Sequence, residues 1–218
     1  MRDALAAGLR TLNLDVGREA EARLAAYLSL LEKWNRTHNL TAIVDRQQMV
    51  SHHLLDSLAV LAHLPETAGL RIIDVGTGGG LPGIPLAICR PDWLVTLIDS
   101  SRKKAAFLQQ AAIELPLRNV EIVAGRVETY RPEVAFDFAI SRAYSNLAAF
   151  VAQGGHLVEG HGRLLAMKGA YPRQEIDALS SRAHVVEVTR LHVPGVAAER
   201  HLVVVEIQPS GVVVGKGA

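Results

Sequence analysis

The sequence predicts an open, mostly parallel α/β sheet with a helical cap at its N-terminus. Three observations predict it. From residue 70 onward, apolar runs suited to buried strands alternate with helical segments, as in β/α units around a parallel sheet. The first run, Leu70 to Val75, passes straight into a glycine-dense turn, Gly76-Thr77-Gly78-Gly79-Gly80. The next, Leu94-Val95-Thr96-Leu97-Ile98, closes on a carboxylate, Asp99, 19 residues after Gly80. In such a sheet the glycines let the backbone approach a nucleoside, and an acid at the second strand end binds ribose hydroxyls.

The elements follow in order. Residues 1–66 read as the cap. Leu24, Tyr27, Leu28, Leu31 and Trp34 fall on one helical face. After a polar break at 35–41, Met49, Leu54, Leu58 and Leu61 predict a second helix ended by Pro65. Residues 67–208 read as the sheet domain, with strands expected at 70–75, 94–99, 120–123, 136–141 and 162–168. Helices are expected at 102–114 and 146–158. The runs 184–193 and 201–207, joined through Pro194-Gly195, read as a strand pair at the sheet edge. Residues 209–218 read as a flexible tail. No linker separates cap from sheet, so one compact body is expected.

Composition excludes several classes. A chain of 218 residues, 49% apolar, suits one large domain or one with an appendage. No apolar stretch reaches the roughly 20 residues of a membrane span, so no membrane partner is expected. The start, Met1-Arg2-Asp3-Ala4, has no secretory pattern, and the single cysteine, Cys89, lies in an apolar run as a buried thiol. A cytoplasmic location is the expectation. With 23 basic and 22 acidic residues, net charge is +1, so only a local patch can serve a polyanion. The nine histidines show no metal-ligand spacing, and no metal is expected.

Ligands of open α/β sheets bind at the strand ends. There stand Gly76 to Leu81, Asp99, Gly125-Arg126-Val127-Glu128, Ser141-Arg142-Ala143 and Met167-Lys168-Gly169. Each has a plainer reading. The glycines serve a tight turn, Asp99 caps the helix that starts near Ser101, and Glu128, Arg142 and Lys168 are solvated or paired surface charges. Arg102-Lys103-Lys104 is a solvated helix start, or joins Arg126 and Arg142 in one basic rim for phosphates.

Gly76, Gly78 and Gly80 give G-x-G-x-G, with Asp74 two residues before, where the nicotinamide fingerprint has G-x-G-x-x-G. This variant resembles the S-adenosylmethionine (AdoMet) loop of class I methyltransferases, whose Rossmann-like sheet has seven strands, mostly parallel with the last antiparallel. Further motifs occur in one order: Asn39-Leu40-Thr41, His53-Leu54-Leu55-Asp56-Ser57, Asp74-Val75-Gly76-Thr77-Gly78-Gly79-Gly80-Leu81-Pro82-Gly83-Ile84-Pro85, Ser141-Arg142-Ala143 and Lys168-Gly169. From about residue 20 to about 207 the chain resembles the bacterial small-subunit ribosomal RNA methyltransferase G family, also called glucose-inhibited division protein B. One departure is Gly79, where many members have proline; the backbone path is preserved at some cost in ordering entropy.

The resemblance implies methyl transfer from AdoMet to N7 of a guanine in the 530 loop of 16S rRNA (guanine 527 by conventional numbering), with the small ribosomal subunit as partner. It places AdoMet contacts at Gly76, Leu81, Val127, Glu128 and Arg142; Asp99 matches the ribose acid, and Asp74 and Gly78 complete the loop. A monomer is expected. Guanine N7 already holds a lone pair, so no general base is needed, and positioning carries catalysis. Arg142 or Lys168 is then expected to hold O6 or a phosphate, leaving N7 bare. The competing readings are a methyltransferase acting on a small molecule or protein, a nicotinamide oxidoreductase, and a non-enzymatic AdoMet or ribosome-binding module.

Overall fold

The computed structural model describes residues 2–142, 144–158, 160 and 162–208. The tail read at 209–218 and Ala143 lie outside the described residues.

The cap begins with helices α1 (Arg2–Thr11) and α2 (Gly17–His38). Along α2, Leu24, Tyr27, Leu28 and Leu31 are at most 3% exposed, each stabilising the fold by about 2 kcal/mol through burial. The helix stops at Asn39, whose φ of 50° is left-handed, a conformation that asparagine tolerates better than most residues. The Asn35 side chain then accepts the Thr41 N–H at 2.8 Å, holding the turn.

The second cap helix departs from the regular one that its apolar pattern predicts. Asp45 caps it by accepting the Gln48 N–H at 2.8 Å. α3 (Arg46–Met49) runs into a π-helical turn, Val50–Leu55, then into α4 (Asp56–Leu58), and a 3₁₀ turn follows at Leu61–His63. The reason is spacing. Met49 and Leu54 are five apart, about 140° out of phase on an α-helix, whereas an i→i+5 turn brings them near one face. Both are buried, as is Leu58.

Seven strands form one sheet: β1 (Arg71–Val75), β2 (Leu94–Asp99), β3 (Val120–Ala124), β4 (Phe138–Arg142), β5 (Arg163–Lys168), β6 (Ala183–Arg190) and β7 (His201–Ile207). Their spatial order is β3-β2-β1-β4-β5-β7-β6. β1 to β5 are mutually parallel where paired, β7 is antiparallel to β5, and β6 and β7 are the expected edge pair. The chain order reverses at β1, between β2 and β4, so the ligand crevice belongs beyond the carboxyl ends of these strands.

Strand alternation splits the core into two apolar clusters. Ile72, Leu97, Ile140 and Leu165 face one cluster; Ile73, Ile98, Ala139 and Leu164 face the other. The first also takes Leu24, Tyr27, Leu28 and Leu31 of α2, Ile84 and Leu86 of α5 (Gly83–Cys89), and Phe107 and Leu108 of α6 (Arg102–Glu114). The cap is therefore part of the main core. The opposite face is covered by α7 (Leu147–Gly154) through Leu147 and Phe150, with Ile176 of α8 (Arg173–Asp177) packed against it. Burial pushes the Cys89 thiol up to about 12, so it stays protonated and unreactive. No helix among the described residues is long and apolar enough to cross a membrane.

Candidate functional site

The turn after β1 takes left-handed backbone at Gly76, Gly78 and Gly80, with φ of 67°, 61° and 89°. That conformation excludes most side chains. Three anchors hold the turn. The Gly76 and Thr77 N–H groups donate to the Ile98 carbonyl of β2 at 2.9 and 3.2 Å. Asp74, fully buried, accepts on Oδ2 from Thr77 Oγ1 at 2.6 Å and from the Gly83 N–H at 2.8 Å. From the cap, the buried Tyr27 hydroxyl donates to the Gly79 carbonyl at 2.6 Å. Asp74 thus braces the loop from beneath, and Leu81 packs into the main core beside it.

Asp99, at the end of β2, is 7% exposed. Its Oδ2 accepts the Gly78 N–H at 3.0 Å and lies 3.5 Å from Lys104 Nζ, while Oδ1 accepts the Ser101 N–H at 2.8 Å. The N-cap of α6 is Ser101, which makes no side-chain cap bond, so Asp99 stands before the cap and ties the Ser101 N–H to the glycine turn. With Gly76, Val127, Glu128, Tyr144 and Gln153 it lines a cleft of about 220 Å³. Tyr144 and Gln153, whose side chains are hydrogen-bonded to each other, had no signal in the sequence.

A second cleft of about 310 Å³ opens at the ends of β4 and β5, where Arg142 and Lys168 stand with Asp56, Arg200 and His52. Arg142 Nη1 donates to the His52 carbonyl at 2.8 Å and to Asp56 Oδ2 at 3.2 Å. Arg200 Nε donates to Asp56 Oδ1 at 2.9 Å. Lys168 Nζ pairs with Glu175 Oε2 at 2.7 Å and reaches the Tyr144 carbonyl at 3.4 Å. Arg142 and Lys168 thus share one cleft, and Gly76, Asp99, Val127 and Glu128 share the other. Tyr144 joins the two, its ring on the first and its carbonyl toward Lys168. The basic rim suggested by the sequence divides: Lys104 turns to Asp99 and Arg142 to Asp56.

Two buried groups near these clefts titrate in opposite senses. Burial pushes the Asp74 carboxyl up to about 6, against the pull of its bonds to Thr77 and Gly83. Burial, helped by Arg142, pulls the His53 imidazole down to about 4. The folded chain therefore keeps the Asp74 proton to higher pH than the unfolded chain, so this contribution is present below about pH 4 and lost as pH rises toward 6. His53 resists protonation, so its contribution is present above about pH 6.5 and lost as pH falls toward 4. Each shift is worth about 3 kcal/mol, and the two oppose across one window. Asp74→Asn is expected to leave stability falling steeply between about pH 6 and 4.5, and His53→Gln to leave it rising. Urea melts across that range check both slopes.

Tyr27→Phe is expected to lower AdoMet affinity about threefold to tenfold, because the Gly79 carbonyl loses its buried donor while the ring packing stays. Isothermal titration reads this, and unchanged affinity would make Tyr27 a packing residue alone.

Residues 20–203 match the family described as rRNA small subunit methyltransferase G. The ribosomal RNA small subunit methyltransferase G of Aromatoleum aromaticum is 55% identical over 203 residues, 91% of this chain and 95% of that protein. Its counterpart in Neisseria meningitidis is 50% identical over 203 residues, 93% and 97% of the two chains. Among solved structures, the SAM-dependent methyltransferase of Aquifex aeolicus superposes with a TM-score of 0.56 at 16% identity, covering 80% of this chain and 97% of that one. That likeness carries the class I methyltransferase fold.

Proposed function

The chain belongs to the rRNA small subunit methyltransferase G family, and from that premise we propose that it transfers methyl from AdoMet to N7 of a guanine in the 530 loop of 16S rRNA, working as a cytoplasmic monomer on the small ribosomal subunit. It is a methyltransferase of small-subunit rRNA. The alternative, a small molecule or protein as acceptor, is not favoured by that membership. The observation that carries the finer reading is the pairing of clefts: one with a ribose-type acid and glycine turn, and beside it one lined by Arg142, Arg200 and Lys168.

The first cleft suits AdoMet. At Gly76 the nearest atom to an added Cβ would be Tyr144 Cε2 at 4.0 Å, so the missing side chain leaves room against the wall. Asp99 offers a carboxylate to ribose hydroxyls, Val127 and Glu128 flank the place for adenine, and the Gly76 backbone allows close approach. When bound, AdoMet supplies an electrophilic methyl group. Asp74 and Leu81 keep the turn in shape from below rather than lining this cleft.

The second cleft receives the base. N7 needs no proton removed, so no residue has to act as general base. The protein's task is to hold N7 in line at near-attack distance, which is worth about 7–11 kcal/mol. Specific RNA targets are typically splayed bases, and extruding one costs a few kcal/mol. A chain of net charge +1 gains little from bare polyanion attraction, so a structured subunit is its preferred substrate over naked RNA.

The reading is tested by incubating the protein with labelled AdoMet and small subunits lacking the modification, then separating RNA from protein. Label in RNA is the expected result. Label in ribosomal protein would defeat the reading.

A further inference from the structure

We infer that Tyr171, at the lip of the acceptor cleft, is a stacking platform for an unpaired rRNA base neighbouring the target guanine. This rests on the proposed function and adds an RNA contact outside the two clefts.

Tyr171 lies just beyond β5, in the stretch Lys168-Gly169-Ala170-Tyr171-Pro172 that leads into α8. Lys168 and Gly169 line the acceptor cleft, so Tyr171 stands two residues from its wall. It is 50% exposed, and it is the one aromatic among the exposed large apolar side chains of the described residues. Single exposed apolar side chains are common on protein surfaces, so exposure alone decides nothing. The setting decides.

The ring is held in place. It packs at 88° against His201, with ring centroids 5.7 Å apart. His201 is buried and pairs with Lys168 across β5 and β7, and its Nδ1–H donates to the Gly169 carbonyl at 2.7 Å. The Arg173 N–H donates to the Tyr171 carbonyl at 3.1 Å, and the buried Pro172 stiffens the backbone between them. A perpendicular contact covers at most one face of the ring. The Tyr171 hydroxyl has no partner among the described residues. A flat surface, already oriented, is therefore left for a ligand, and little ordering is needed when one binds. The cap supplies a second apolar lip: Ile43 lines the cleft, and its neighbour Val44 is 74% exposed.

The occupant follows from what the cleft serves. The chain is a methyltransferase of small-subunit rRNA, so RNA must cross this lip to bring a guanine inside. Extruding that guanine unstacks its neighbours. Unpaired bases are held by stacking on aromatic rings beside cationic grooves, and here the groove carries Arg142, Lys168 and Arg200. A protein partner would need a contiguous apolar patch, whereas Tyr171 is followed closely by exposed Arg173 and Gln174.

The test uses the full chain, AdoMet and unmodified small ribosomal subunits, with Tyr171→Leu, Tyr171→Ser, Tyr171→Phe and Tyr171→Trp. Tyr171→Leu is expected to lower kcat/KM for subunits about 5–100-fold. The loss should fall mainly on KM, because the platform holds bound and reacting RNA alike. Tyr171→Phe should stay within about threefold of wild type, and Tyr171→Trp should match or exceed it, so the aromatic pair gives the readout even if the leucine variant folds poorly. AdoMet affinity and the slope of log KM against log salt should stay unchanged, since no charge is removed. Tyr171→Leu with wild-type kcat/KM would overturn the inference. So would an active leucine variant beside an inactive serine one, which marks an apolar contact with a ribosomal protein. A phenylalanine variant as impaired as the leucine one, or AdoMet affinity falling in parallel, would overturn it too. A wild-type protein that leaves RNA unlabelled would instead defeat the proposed function.

Discussion

Replacing Asp99 with asparagine is expected to weaken AdoMet binding about 10–100-fold while the chain stays folded. The carboxylate uses one oxygen for the Gly78 N–H and the other for the Ser101 N–H. Asparagine has one acceptor oxygen, so its amide NH₂ must face one of those two donors. The glycine turn or the start of α6 then moves, and the ribose hydroxyls lose a charged acceptor. A charge-assisted hydrogen bond contributes about 1.5–3 kcal/mol, which sets the range. Methyl transfer should recover at saturating AdoMet, because Asp99 lines the cleft at the glycine turn and not the one at Arg142 and Lys168. If Asp99 served only as a helix cap, the substitution would lower the melting temperature and leave titrated affinity unchanged. Isothermal titration beside a thermal melt separates the two.

Gly83→Ala is expected to cost about 3 kcal/mol or more in folding free energy, lowering the melting temperature on the order of 10 °C. An added Cβ would sit 2.2 Å from Leu97 Cδ2, 2.9 Å from Asp74 Oδ2 and 3.1 Å from Asp74 Cβ. Both neighbours are fully buried in the sheet, so α5 must retreat. Retreat breaks the 2.8 Å bond from the Gly83 N–H to Asp74 and leaves that carboxyl with Thr77 alone. The same movement disturbs the glycine turn, so AdoMet affinity should fall with stability. Gly17→Ala is the control: its φ is 75° with nothing within 4 Å of the added carbon, so only backbone strain of about 1–2 kcal/mol is expected. A Gly83→Ala protein melting within a degree or two of wild type would mean that Leu97 yields and the contact between α5 and the sheet is loose.

The strand, glycine turn and acid were legible because their chemistry is local: each stands next in sequence to the strand that positions it. The edge pair β6–β7 was legible for the same reason, two apolar runs flanking Pro194-Gly195. The π turn had a signal, the five-residue step from Met49 to Leu54, but a helical apolar pattern absorbs such a step unless the exact phase is followed. Tyr27 reads as one more apolar residue on α2, and only the packed structure shows its hydroxyl 2.6 Å from the Gly79 carbonyl. Asp56 and Arg200 are 144 residues apart, and no spacing rule links them. A charge inside the apolar run Leu54 to Leu58 was the available hint, since a buried carboxylate needs a partner. The pairing of Lys168 with Glu175 was equally hidden, because it depends on where α8 folds back after β5.

The most direct measurement is borohydride–aniline cleavage of 16S rRNA after reaction of unmodified small subunits with the protein and AdoMet. This chemistry breaks the chain at 7-methylguanine. One new cleavage, at a single guanine in the 530 loop, is the result expected here. Methyl label in the RNA without that cleavage, or cleavage at a guanine elsewhere, would contradict the assignment of atom and acceptor.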